Sequence, residues 1–156
     1  MRITRQQLAQ VQTFEQFLEL RRALVTCLPG DLYESLFSIA ISDRSDGAAQ
    51  IACRALIGLQ PPCPETCKHV LERIHESHWF VSFREVSFYL ITQFGKPQLL
   101  NEARAFIATL PTGEPRSRVD AVVYWASMPA SALCEPYHYW QWHDEIEDGA
   151  DNDRNT

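Results

Sequence analysis

The chain has 156 residues, 46% of them hydrophobic, and no apolar run near the ~18 residues of a membrane span. Its formal net charge of −6 is confined to one end: residues 131–156 carry seven acids and one base, while residues 1–130 carry 13 of each. That length predicts one domain with a core, and the acidic end argues against nucleic acid or an anionic membrane as partner.

MRITRQQLAQ starts basic but has no apolar segment behind it, so no secretory signal is expected. Cysteines 27, 53, 63, 67 and 134 are odd in number and widely scattered. This pattern suits reduced thiols and a cytoplasmic location better than a disulfide framework. Residues 4–27 place Leu8, Val11, Phe14, Leu18, Ala23 and Leu24 at roughly helical spacing. Thr4 can cap the start, Pro29-Gly30 stops the run, and the segment reads as one long helix or two with a break near Thr13.

Asp31 is expected to cap a helix in which Leu32, Leu36, Ile39 and Ala40 share a face. SDRSDG is turn chemistry, and Ala48 to Leu59 continues as a second helix. Gln60-Pro61-Pro62-Cys63-Pro64 breaks the chain, since proline lacks a donor and disfavours helix in the residue before it. A second helix pair is predicted from about Glu65 to Glu76 and from Val81 to Phe94, ended by Gly95 and Pro97. A third runs from about Gln98 to Leu110 and, beyond PTGEP, from Arg116 to Met128. No alternation with period two is sustained, so the fold class is all-α.

These pairs echo one another at an offset of 35 residues. Ile51, Val86 and Ala121 share a column, as do Ala55, Leu90 and Trp125, and Leu56, Ile91 and Ala126. Asp31, Thr66 and Asn101 fall in another column of cap-forming residue types. Repetition at such a period marks stacked repeats, here about three antiparallel helix pairs, with residues 4–27 covering the first exposed face.

Phe83-Arg84 followed by Ser87, Leu90 and Gly95 resembles the second helix of a HEAT repeat. Gly47 to Leu59 keeps Ala52, Leu56 and Leu59 but lacks the arginine, and Arg118 stands one residue late in the third unit. The resemblance spans residues 31–128. It implies a short, curved α-solenoid whose second helices line a protein-binding surface. The expected organisation is a single helical-repeat domain over residues 1–148 and a disordered acidic tail over 149–156.

On the second helices, Phe83, Val86, Ser87, Leu90, Ile91 and Phe94 are expected to face the core. The opposite face then carries three rows: Gln50-Glu85-Asp120, Cys53-Phe88-Val123 and Arg54-Tyr89-Tyr124. Tyr and Arg anchor many interfaces, which makes these rows a candidate partner surface. The competing reading makes Phe88 and Val123 core residues, with the tyrosines at its edge. Near the C-terminus, EPYHYWQWHDE is unusually aromatic. It predicts a terminal cap, an acid-rimmed anchor built on Trp140, Trp142, Asp144 and Glu145, or both together.

Cys63, Cys67 and His69 are the best metal candidates. Cys67 and His69, two apart on a helix, point to different faces, and the surrounding prolines explain the segment as a linker. No nucleophile elbow or phosphate loop is present. The expectation is a protein-binding module without metal or cofactor, most specifically an inhibitor or immunity-type protein that occludes a basic toxin or nuclease. The alternatives are an adaptor or assembly scaffold, or a metal-dependent or cysteine enzyme.

Overall fold

Two threonines start the first two helices. In the computed structural model, which describes residues 2–42, 47–111 and 116–129, Thr4 caps α1 (Arg5–Ala9) and Thr13 caps α2 (Phe14–Leu24). Each accepts the backbone N–H of a glutamine three residues on, and that glutamine's side chain returns to the cap. These reciprocal capping boxes satisfy donors that a helix start leaves open. The break falls at Thr13, between two helices.

Pro29 opens α3 (Pro29–Ala40), where its missing donor costs nothing and its fixed φ suits the first turn. α4 (Gly47–Leu59) is buried on most of its circumference, from Ala48, Ala49 and Ala52 to Leu56 and Ile57. It needs to be, because α1, α2, α3 and α6 all pack against it. Gln60, at φ 45°, turns the chain out of α4 into the proline segment. Thr66 then caps α5 (Cys67–Glu76) by accepting the His69 N–H.

The next connection folds inward. His78 N–H donates to Ile41 O at 3.2 Å, and buried Trp79 donates its indole N–H to Phe83 O at 3.3 Å. α6 therefore starts late, at Glu85, and runs to Phe94 (Glu85–Phe94). Gly95, at φ 81° and ψ 146°, joins it directly to α7 (Lys96–Thr109) through a conformation that a side chain would strain. α8 (Arg116–Ala126) ends the described chain, and Lys96 Nζ holds Met128 O at 2.9 Å just beyond it.

Among the described residues all regular structure is helical, and no helix is long and apolar enough to cross a membrane. The packing has an order. α4 touches α6 and α6 touches α8; α5 touches α7 and α8; α3 pairs with α4, and α7 with α8. α5 and α6, although consecutive, scarcely touch. The core is continuous from Leu8 through Tyr33, Leu56, Leu71 and Tyr89 to Leu99 and Val122. Each fully buried aliphatic side chain contributes about 1.5–3 kcal/mol through area removed from water.

Two of the three expected starts are displaced. Asp31 lies in the first turn of α3, where a carboxylate favours the helix dipole, while Leu28 occupies the cap position. Asn101 lies inside α7, which begins five residues earlier, because Pro97 is tolerated in a first turn and does not end a helix there. Thr66 alone of that column caps a helix.

Candidate functional site

The three predicted rows separate on burial. Tyr89 is fully buried, its hydroxyl donating to Pro61 O at 2.6 Å; Phe88 is buried beneath the Arg84 guanidinium. Glu85 is buried as well. The open face expected on α6 is therefore interior at Glu85, Phe88 and Tyr89, because α4, α7 and α8 enclose the helix on several sides. Half of the expected core face is less covered than these: Phe83, Ile91 and Phe94 are only half-buried.

Gln50 and Arg54 are half-buried on α4. Arg54 and Glu85 lie close enough that the Arg54 charge draws the Glu85 carboxyl down. Burial outweighs this, together with the nearby Arg84 charge, and leaves the carboxyl above its ordinary range. α4 and α6 pack against each other, with Glu85, Phe88 and Tyr89 turned inward.

Asp120 and Tyr124 differ. One turn apart on α8, both are exposed, Tyr124 by 58%. The Tyr124 ring meets Trp125 edge-on at 5.0 Å, and the Trp125 indole N–H donates to Val81 O at 2.8 Å. Trp125 thereby ties α8 to the 77–84 connection and steadies the exposed ring beside it. Half-exposed Phe80 packs edge-on to Phe83 on the same connection. Trp140, Trp142, Asp144 and Glu145, like the tail over 149–156, lie outside the described residues.

A polar cluster that the sequence did not suggest joins α3, the proline segment and α5. The Tyr33 hydroxyl donates to Glu65 Oε2, and Arg73 Nη1 donates to the same oxygen at 2.6 Å. Arg73 Nη2 also reaches Glu34 Oε1 and Ser38 Oγ, each at 3.2 Å, and His69 Nδ1 lies 2.8 Å from Glu65 Oε1. Burial draws the Arg73 guanidinium down, but the Glu65 hydrogen bond and the Glu65 and Glu34 charges outweigh it and hold it above its usual value. Burial, then the Glu65 contact, pushes the Tyr33 hydroxyl well above the phenol range. Each group finds its partners within the cluster, so its chemistry is that of a joint between helices.

The cysteine segment is part of the same joint. Cys63 N–H donates to Gln93 Oε1 at 2.9 Å, and its thiol lies 3.7 Å from Glu65 O. Burial raises the Cys63 thiol, which Tyr33 and the Glu65 backbone partly offset. Cys67 is buried, and burial followed by a hydrogen bond to Glu102 pushes its thiol up to about 12. Among the described residues, no three of His, Cys, Asp and Glu converge as a metal-holding group. With thiols held protonated, neither cysteine is activated as a nucleophile. No known family model, curated protein sequence or solved structure matches the chain.

Proposed function

We propose that this protein is a protein-binding helical module of HEAT-like α-solenoid type, acting as an inhibitor that occludes a basic partner such as a toxin or nuclease. The observation that carries the reading is the C-terminal edge. There Asp120 and Tyr124 stand exposed on the last described helix, which precedes in sequence the acidic segment of residues 131–156. An exposed tyrosine steadied by Trp125 suits an interface anchor, since little side-chain freedom remains to be lost on binding. The excess charge of residues 131–156 would steer a basic protein toward that edge. Trp140, Trp142, Asp144 and Glu145 would extend the contact or cap the helices beneath it.

The succession α4, α6, α8, with α3 paired to α4 and α7 to α8, supports a stack of helix pairs, and α5 and α6, which scarcely touch, depart from it. Glu85, Phe88 and Tyr89 leave the proposed contact and serve the stack, while Gln50 and Arg54 stay at its margin. Affinity capture with the full chain from the native extract tests the proposal. It predicts a stoichiometric partner of high isoelectric point that elutes with salt. Recovery of acidic or neutral proteins alone would remove it, and recovery of a multiprotein assembly would favour the scaffold instead.

A further inference from the structure

A groove of about 570 Å³ runs between α5 and α7, and neither Asp120 nor Tyr124 lines it. Lys68 and Glu72 line it from α5; Glu102, Ala105, Phe106 and Thr109 line it from α7. Phe106 is half-buried and is braced by an edge-on contact with His75 at 5.6 Å, so an aromatic surface lies open between two carboxylates. Glu102 accepts Gln98 Nε2 at 3.1 Å and lies near the Cys67 thiol. Glu72, half-buried on the other wall, makes no hydrogen bond or ion pair among the described residues.

We infer that this groove docks a lysine- or arginine-bearing segment of the protein partner. The stem of the cationic side chain would lie on Phe106 and its charge between Glu72 and Glu102. The fit follows from chemistry. A long cationic side chain covers apolar surface with its methylenes and keeps its charge at the rim, and a cation over an aromatic face adds further attraction. Two carboxylates against the one ammonium of Lys68 leave the rim net acidic, which selects a cation over an anion. The volume falls within the range of specific binding clefts, roughly 300–1,000 Å³. The inference rests on the basic-partner reading and gives that partner a second point of attachment.

The test uses the full chain and two fluorescent helical peptides of about 15 residues, with the same leucine face and either lysine or glutamate on the other. Fluorescence anisotropy should show saturable binding of the lysine peptide, weakened by salt, and at least about tenfold weaker binding of the glutamate peptide. Ala105→Trp fills the groove from an exposed position, and Glu72→Lys reverses one wall. Each should weaken the lysine peptide about tenfold while leaving the circular dichroism and melting temperature unchanged. Equal binding of both peptides, no binding, unchanged binding by the folded variants, or binding lost only on deleting residues 130–156 would each overturn the groove. Where a captured basic partner binds these variants normally, the groove fails and the functional reading stands. Where the lysine peptide obeys the groove but no basic partner is captured, the reverse holds.

Discussion

Tyr33 and Glu65, 32 residues apart, are held together by the tyrosine hydroxyl donating to a carboxylate that Arg73 also binds. Through that oxygen α3, the proline segment and α5 share one fixing point. Hydrogen bonds to charged groups contribute about 1.5–3 kcal/mol, and the loss is greater when a half-buried partner is left behind. Tyr33→Phe should therefore lower unfolding free energy by about 1.5–3 kcal/mol. Glu65→Ala, which also strips Arg73 of its shortest contact, should cost more than Tyr33→Phe. Urea denaturation with an unchanged m-value is the check; equal losses would mean that Glu65 matters only through Tyr33.

Tyr89 supports the adjoining joint from inside. Its hydroxyl closes on Pro61 O, and its ring stacks against Tyr33 with centroids 6.3 Å apart. Tyr89→Phe should cost about 1 kcal/mol, the worth of one neutral hydrogen bond plus the orphaned carbonyl. Tyr89→Ala should cost about 3–5 kcal/mol by opening a cavity. Thermal melts followed by circular dichroism distinguish this from a surface role, in which both variants would melt with the wild type.

Glu85 gives the stability a pH dependence. Its carboxyl is raised in the folded state by burial, so folding favours the protonated form. The contribution is whole below the ordinary carboxylate range and is lost as pH rises through the raised value. Glu85→Gln should therefore melt with the wild type near about pH 4 and above it near about pH 8. The charges facing this group are Arg54 and Arg84, neither of which is removed by the substitution. A wild-type advantage that grows with pH would contradict the assignment.

The thiols should report the same interior. Cys53 is raised by burial and then by the Glu85 charge, and Cys67 is held near about 12. Both thiols are therefore protonated and covered at neutral pH, and alkylation by iodoacetamide should reach them only on unfolding. Mass-spectrometric mapping after brief labelling checks this. Rapid modification of Cys67 in the folded protein would show that the α5–α7 interface opens.

Much of this architecture is written locally. Thr4, Thr13 and Thr66 cap their helices through side chains three residues from their targets, and the proline segment and Gly95 sit where the chain must turn. What depends on neighbours was hidden. α6 carries apolar residues on nearly every side, so its periodicity could not say which side faces outward. The face holding Phe88 and Tyr89 went inward because α4 and the proline segment occupy it. The Tyr33–Glu65–Arg73 joint has no local signature, since it exists only once α3 and α5 lie side by side. The α5–α7 groove is likewise a property of two helices, and Phe106 gave no sign in the sequence of lying between carboxylates.

Titration calorimetry of the captured partner tests the central claim most directly, comparing the full chain with an Asp120→Lys, Tyr124→Ala double variant at about 50 and about 200 mM salt. Both positions are exposed, so the double variant should keep its helical spectrum. The account predicts affinity reduced at least about tenfold at low salt and a shallower salt dependence than the wild type. Unchanged affinity and an unchanged salt slope would contradict binding through the C-terminal edge.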